Sequence, residues 1–395
     1  MGEATLSGRQ WNRLRVIEAL YRQPASRTDL ARRTGLSRPT VSSVVEELNQ
    51  TGIVQEHAAP DSSHQRSAGR PPQLLSLVRD AAFAIGLDFG HDHVRIAVCD
   101  LSGELVIDDC SVAAVDHAPT ASLDLAQELV RDALTTAGIG EDRVLGIGMG
   151  LAAPVNRSTG SIESEGFLPG WRGLRPAEEM QARIGLPVEL ENDANLGALG
   201  EREFGCGRDA QNMIYIRLST GIGAGLIIDG RPFRGTSGIA GEIGHFADAN
   251  DGLICRCGNR GCLETTAGPA ALASVLEQSL NVPVSIQDLL NFVAAGDRGA
   301  RRLVTDAGIA VGRALATAIN LINPELVVVG GHLAAAGDVL LDAIRSAIDQ
   351  HAIQPAVDAV RVIRGDLGDR AEVLGGAALV LTQSPLALVQ QFEAH

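Results

Sequence analysis

Three cysteines and one histidine within eighteen residues constrain the fold of this chain more than any other feature of its sequence. The thiols are spaced Cys255-x-Cys257-x4-Cys262, and His245 lies ten residues before the first of them. One imidazole and three thiolates suit tetrahedral Zn²⁺, and four protein ligands leave no position for water, which indicates a structural and not a hydrolytic site. Glycines between the thiols would let the backbone turn around the ion. Free buried cysteines are the alternative, but three of them within eight residues are more typical of a metal site.

The chain is acidic overall, yet its charge is unevenly distributed. The net charge is −15 with no lysine; residues 1–80 carry 11 arginines against 8 acidic residues, and the remainder is net −18. This asymmetry predicts an anionic partner for the N-terminal part alone. The N-terminus lacks the apolar segment of a signal peptide, no stretch approaches 18 consecutive apolar residues, and the other cysteines are scattered. We therefore expect a cytoplasmic protein with reduced thiols and no membrane partner.

The first 80 residues have the pattern of a winged helix-turn-helix domain. Apolar spacing and capping residues predict helices over residues 10–22, 27–35 and 37–52. We expect Trp11 on the buried face of the first helix, with Thr28 capping the second and Ser37 capping the third. Residues 53–57 and 73–78 are predicted as the two strands of a hairpin, joined by a polar segment rich in proline, glycine and serine.

From residue 82 onward, buried strands that end in glycine alternate with helices, which indicates an α/β protein. The segments "GLDFG" near residue 88 and "LSTGIGAG" near residue 221 both follow strands and lead into further strands. We interpret them as one unit used twice, which predicts two lobes with a cleft between them. The expected domains are residues 1–80 (winged helix), 81–200 (first lobe), 201–375 (second lobe with the metal loop), and about 376–395, packing back on the first lobe or contributing to a dimer interface.

The segment "CRCGNRGCLE" (255–264) is similar to the C-x-C-G-x-x-G-C-x-E signature of the ROK family of repressors, open reading frames and sugar kinases. "GEIGH" (241–245) matches the segment that precedes this signature, and the similarity covers nearly the whole chain. The resemblance implies a two-lobed, actin-like (ribonuclease H-like) sugar-kinase fold preceded by a winged helix-turn-helix domain. It also implies one structural zinc, held by His245, Cys255, Cys257 and Cys262, and assembly as a homodimer or tetramer.

The resemblance further implies a sugar pocket. The positions that match the family's hexose-binding residues are Asn192, Asp193, Glu242, His245 and Glu264. Asp193 matches the family's catalytic base, and His245 could direct one ring nitrogen to zinc and the other to the sugar, so that the metal loop orients the pocket. Taken alone, the first two residues could simply cap a helix, and the two glutamates could be solvated loop carboxylates.

The loop expected to bind phosphate departs from the kinase pattern. Family kinases carry D-x-G-G-T where this chain has "DFGHD" (88–92), so His91 replaces the second glycine and Asp92 the threonine. A side chain would fill the space in which backbone amides approach phosphate, and a carboxylate would repel it. His332 stands where family kinases commonly carry another glycine. We therefore predict a non-catalytic protein that retains sugar binding and does not use ATP; Asp193 keeps residual kinase activity as an alternative.

The segment "LARRTGLSRPTVSSVVEEL" (30–48) resembles the helix-turn-helix of ROK repressors. The N-terminal residues of its second helix should enter the major groove of DNA, and "SAGRPP" (67–72) is typical of a wing that reaches the minor groove. The predicted DNA-contacting residues are Ser37, Arg38, Thr40, Ser42, Ser43 and Arg70. A winged helix that binds only protein is the alternative.

Three hypotheses follow from these features. The first is a sugar-responsive transcriptional regulator, usually a repressor, of carbohydrate metabolism genes, with a DNA operator and a sugar effector as its partners. The second is an ATP-dependent hexose kinase with an appended DNA-binding domain. The third is a regulator triggered by a protein partner. The sequence leaves the identity of the sugar and of the operator open.

Overall fold

The computed structural model describes residues 6–58, 73–156, 158–162, 166–247 and 252–391. The N-terminal part contains the three predicted helices and the hairpin: α1 (Gly8–Arg22), α2 (Arg27–Thr34), α3 (Arg38–Gln50), β1 (Val54–Ala58) and β2 (Gln73–Leu77), with β1 and β2 antiparallel. Ser37 caps α3 as predicted, because its hydroxyl accepts a hydrogen bond from the amide of Thr40 at 3.2 Å. The predicted winged helix-turn-helix is therefore confirmed.

Two details of this domain were predicted wrongly. Trp11 is 49% exposed, although Leu14 and Ile17 on the same helix are buried as expected. Helical spacing identifies the apolar face of a helix. Whether the first turn of that face is buried depends on the elements that pack against it. The cap of α2 is Ser26 and not Thr28, because the Ser26 hydroxyl accepts from the amide of Asp29 at 3.1 Å and starts the helix earlier.

The first lobe is built on a five-stranded mixed sheet with the order β5-β4-β3-β6-β7. Its strands are β3 (Phe83–Phe89), β4 (His93–Asp100), β5 (Leu105–Val112), β6 (Val144–Leu151) and β7 (Val188–Asn192). The first three pair antiparallel through tight turns, whereas β6 and β7 run parallel to β3. The helices α4 (Pro119–Ala137) and α5 (Pro176–Ile184) contribute buried apolar residues to the core of this lobe.

The second lobe repeats this arrangement with the strand order β10-β9-β8-β11-β12 and the same strand directions. Its strands are β8 (Met213–Leu218), β9 (Ile222–Ile228), β10 (Arg231–Pro232), β11 (Leu326–Gly330) and β12 (Arg361–Arg364). Its helices are α7 (Glu264–Ala267), α8 (Pro269–Leu280), α9 (Ile286–Ala294), α10 (Arg298–Ile322), α11 (Asp338–His351) and α12 (Gln354–Ala359). The predicted repetition of one unit is thus confirmed. None of the described helices, not even the 25-residue α10, is both long and apolar enough to cross a bilayer.

Two helices lie between the lobes, α6 (Asp193–Glu203) and α13 (Ala371–Leu381), and α14 (Ser384–Gln391) follows. The backbone of α13 lies directly on β3 and β6, because Gly86 and Gly148 have no side chain to hold it away. Leu388 of α14 shares a buried core with Leu14 of α1, so the C-terminal segment joins the winged helix to the first lobe. The boundaries expected at residues 200 and 375 fall inside α6 and α13, and we propose to place the return to the first lobe at Ala371.

Candidate functional site

The predicted metal ligands come together in the structure. The ligand atoms of His245, Cys255, Cys257 and Cys262 all lie within 4.8 Å of one another. Sγ of Cys255 is 3.5 Å from Nδ1 of His245, and Sγ of Cys257 is 3.6 Å from Sγ of Cys262. Around a tetrahedral zinc, bond lengths of about 2.3 Å to sulfur and about 2.0 Å to nitrogen give separations close to these. Donor set and spacing therefore both fit zinc.

A short glycine-containing loop builds this cluster. Gly258 and Gly261 have φ angles of +91° and +71°, a conformation that side chains disfavour and glycine adopts freely. The amide of Gly258 donates to the carbonyl of Cys255 at 2.9 Å, and the amide of Cys255 donates to the carbonyl of Asn259 at 2.8 Å. The loop thereby folds back on itself and brings the three thiols to one side, as the sequence predicted.

A pocket between the lobes lies beside this loop and contains about 460 Å³ of empty space, part of it open to solvent. All five residues predicted to bind sugar line it: Asn192, Asp193, Glu242, His245 and Glu264. Four further side chains that were not predicted for this pocket also line it: His91, Phe167, Arg217 and Arg256. Of these, Arg256 had a usable signal, since a residue between two thiolates of a tight loop faces away from the metal.

Asn192 and Asp193 occupy the start of α6. Asn192 caps this helix, its Oδ1 accepting from the amide of Asn195 at 3.2 Å, and its Nδ2 donates to Oδ1 of Asp193 at 3.0 Å. Oδ1 of Asp193 also accepts from the amide of Ala194 at 2.8 Å. Helix capping and a place in the pocket are therefore not alternatives here, because capping fixes the orientation of both side chains toward the pocket.

A buried arginine on β8 holds the other oxygen of Asp193. Nη1 of Arg217 lies 3.0 Å from Oδ2 of Asp193, and Nε of Arg217 donates to Glu372 at 2.9 Å. The hydroxyl of Tyr215 donates to the same Glu372 oxygen at 3.0 Å. Burial opposes the charge on Arg217, but Asp193 and Glu372 raise its pKa above the ordinary value. Arg217 therefore remains a cation that joins the two lobes and borders the pocket.

The metal loop supplies the opposite wall. Nδ1 of His245 faces the thiols, whereas its Nε2 lies 3.6 Å from the carboxylate of Glu242. Burial, together with Asp193 and Glu264, raises the pKa of Glu242 to about 7. Arg256 donates to both oxygens of Glu264, at 2.9 and 3.1 Å.

The loop that would bind phosphate borders a second cavity on the other side of Arg217. His93 lies against this loop, with Nε2 3.2 Å from Asp88 and Nδ1 2.9 Å from Asp92. The hydrogen bond to Asp88 is the largest cause that raises the pKa of His93, to about 9. Its ring occupies the space that a β-carbon on Gly90 would take. Across the cavity, the hydroxyl of Ser219 bonds to Nδ1 of His332 at 2.7 Å.

The predicted DNA-contacting residues other than Arg70 lie at or just before the start of α3. Ser37, Arg38, Ser42 and Ser43 are exposed, and Thr40 is half-buried. The hydroxyl of Ser37 is engaged both in the cap and with the Thr40 hydroxyl, at 2.7 Å. Arg70 lies outside the described residues.

The ROK family matches residues 84–383, about three quarters of the chain. The chain belongs to the ROK family. The MarR family matches residues 7–66, which contain the helix-turn-helix. The xylose repressor of Caldicellulosiruptor bescii, a curated relative, is 30% identical, and the similarity covers 97% of this chain and 98% of the relative.

Two solved structures show how the domains compare within the ROK family. A ROK family transcriptional regulator, a homologue of the E. coli MLC protein, has a TM-score of 0.81 at 27% identity, covering 98% of this chain and 99% of that one. A ROK glucokinase from Streptomyces griseus, solved with glucose and AMPPNP, has a TM-score of 0.68 at 28% identity, covering 75% of this chain and 99% of its own. The predicted sugar-kinase fold with an added winged helix is confirmed, and the domain content groups this chain with the regulators.

Proposed function

We propose that this protein is a sugar-responsive transcriptional repressor of carbohydrate metabolism genes. One observation carries the proposal: the same chain contains a winged helix and an interlobe pocket that is lined by carboxylates, an amide and an imidazole. Relatives that match over nearly the whole length include a xylose repressor, which makes xylose the first sugar to test. Sugar would favour an arrangement of the lobes in which the winged helices bind the operator less well.

In the pocket, Asp193 and Glu242 would accept hydrogen bonds from sugar hydroxyls. Asn192, His245 and Glu264 would complete the ring of polar contacts. We propose that one zinc occupies the His245 and cysteine cluster and holds the loop that carries these groups, an orienting role that needs no open coordination position. The distances within the cluster support this assignment.

We propose that the protein does not transfer phosphate. Asp193, the residue that matches the family's base, is already paired with the buried cation Arg217. On the phosphate side, His93 covers the backbone at Gly90, and the carboxylate of Asp92, which replaces the threonine of the kinases, would repel a nucleotide. An ATP-dependent sugar kinase remains the second candidate, favoured by the place of Asp193 in the pocket.

The DNA would be read by the N-terminal end of α3. We propose that Ser37, Arg38, Thr40, Ser42 and Ser43 contact the major groove and that Arg70 reaches the minor groove. Proteins of this architecture read two-fold operators as dimers, and we propose a homodimer or a tetramer built from such dimers. A dimer would bring two winged-helix domains to one operator and so double the modest positive charge that each domain carries.

Binding and catalysis together test the proposal. Full-length, zinc-loaded protein is used to select operators from a randomised DNA pool, and the complex is then titrated with a panel of sugars. A sugar at 100 times its dissociation constant should raise the stability of the free protein by about 2.7 kcal/mol. Release of DNA by one sugar, with no ADP formed from ATP, supports the repressor. Robust ADP formation supports the kinase, and DNA binding that no sugar alters favours a protein effector.

A further inference from the structure

Three consecutive residues of the first-lobe loop point to different cavities. Asp92 and His93 line the cavity on the phosphate side of Arg217, whereas His91 lines the sugar pocket with Asp193. From the sequence, His91 is expected only to obstruct phosphate. In the structure its side chain is instead part of the sugar-pocket wall contributed by the first lobe.

His91 is held firmly in this place. Its Nδ1 lies 2.7 Å from Oδ1 of Asp116, and its side chain is 13% exposed. Backbone bonds hold Asp116 and the residue that follows His91: the amide of Gly170 donates to the carbonyl of Asp116, and the amide of Ala113 donates to the carbonyl of Asp92, both at 2.9 Å. A carboxylate only accepts, so Nδ1 is the donor, and Nε2 is left to bond a hydroxyl in the pocket.

An imidazole at this position changes the size of the pocket as well as its chemistry. A glycine here would leave the space of the imidazole to the pocket that His91 lines, and that ring occupies more room than a hydroxymethyl group. An aldohexopyranose and the matching aldopentopyranose differ by this one group on the ring. Because the ring is fixed by Asp116, it cannot turn aside at low cost to admit the larger sugar.

We infer that His91, positioned by Asp116, is the residue that closes the sugar pocket and restricts it to pyranoses without an exocyclic hydroxymethyl group. The inference rests on the proposed function and names its substrate class, the aldopentoses. His91 excludes the larger sugar by its bulk and binds the smaller one through Nε2. Asp116 acts through His91 and is a positioning residue.

Matched sugar pairs test this inference by calorimetry on the full-length, zinc-loaded protein. The pairs are D-xylose with D-glucose, L-arabinose with D-galactose, and D-lyxose with D-mannose, which differ only in the hydroxymethyl group. We expect the wild type to bind one pentose at least about tenfold more tightly than its hexose partner, the discrimination typical of a group this small. His91→Gly should weaken the pentose and strengthen the hexose, so that the ratio falls by about tenfold or more.

Asp116→Ala provides the second readout. It removes the acceptor that fixes Nδ1 and keeps the imidazole, so the ring can turn aside. We expect the hexose to gain and the pentose to lose affinity, in the same direction as in His91→Gly but by less, whereas Asp116→Asn keeps an acceptor for Nδ1 and should retain the wild-type ratio. The inference is overturned if the wild type binds a hexose as tightly as its matched pentose, or if His91→Gly changes both sugars equally. If the wild type binds no sugar of any kind, the proposed function itself has failed.

Discussion

Arg217 in the second lobe donates from Nε to Glu372, the second residue of α13, across 2.9 Å; the side chain of Glu372 is buried, and that of Arg217 is only 11% exposed. The same guanidinium pairs with Asp193 in the interlobe pocket at 3.0 Å. Leu374, on the same helix as Glu372, belongs to the buried core that includes Ile17 of α1. A chain of direct contacts therefore leads from the pocket to the DNA-binding domain.

Replacing Glu372 tests whether this chain transmits the sugar signal. Glu372→Gln keeps the shape and an acceptor for Tyr215 but removes the charge that Arg217 meets. Since coupling between two sites in proteins is typically about 1–3 kcal/mol, we expect the sugar-induced loss of operator affinity to shrink severalfold. The measurement is operator affinity with and without saturating sugar, by fluorescence anisotropy.

Glu277→Gln is the matched control, because Glu277 is exposed on the outer helix α8. It should leave the ratio of the two operator affinities unchanged. A Glu372→Gln protein that folds, binds sugar and still releases DNA as fully as the wild type would show that the signal takes another route.

Removal of one metal ligand should affect two properties together. In Cys257→Ser we expect zinc content to fall from one ion per chain to nearly none, with a lower melting temperature and weaker sugar binding, because His245 and Glu264 lose their support. Elemental analysis and thermal unfolding measure this. Cys110→Ser, which alters an exposed thiol outside the cluster, should change neither. Unchanged metal content in the Cys257 variant would mean that the ligands are misassigned.

The raised pKa of His93 predicts how the stability of the fold depends on pH. Its hydrogen bond to Asp88, and its contact with Asp92, raise its pKa to about 9, whereas burial opposes the shift. A pKa raised in the folded state stabilises the fold fully below the unfolded value of about 6.5, and this stabilisation is lost as the pH rises through 9. His332 faces the same cavity, and burial lowers its pKa, so its own titration lies below the range in which His93 loses its proton.

The free energy of unfolding should therefore fall by up to about 3 kcal/mol more between pH 6.5 and 9.5 in the wild type than in His93→Gln. Urea unfolding at a series of pH values measures the difference. The exposed His57→Gln serves as the comparison and should follow the wild type. Parallel curves for wild type and His93→Gln would contradict the assignment.

Arginine substitutions separate DNA binding from sugar binding. Arg38→Ala and Arg70→Ala should each weaken operator affinity by about 1–3 kcal/mol if the side chain contacts a base, without altering sugar affinity. Arg298→Ala removes the same charge from the surface of the second lobe and should leave both unchanged. Electrophoretic mobility shifts and calorimetry give the two affinities. If the Arg38 variant bound the operator as tightly as the wild type, α3 would not be part of the DNA interface.

Periodic and local signals determined a large part of this protein from sequence. The stripe of Val41, Val44, Val45 and Leu48 predicted the buried face of α3, and all four are buried. The spacing of the thiols predicted the metal cluster, because ligands so close in sequence can meet only by a local turn. Such features depend on neighbours within a few residues, which the sequence shows directly.

Only the tertiary structure decided which distant residues share a cavity. His91 and Asp116 meet across 25 positions and Arg217 and Glu372 across 155, pairings that no local pattern predicts. The fold also left Trp11 exposed, although its spacing matched the buried face, because no element among the described residues covers enough of that turn. Sequence therefore determined the elements and the metal loop, whereas the pocket wall and the link to α13 depend on how two sheets and two helices pack. That packing decides whether a polar side chain meets solvent, a ligand or a buried partner.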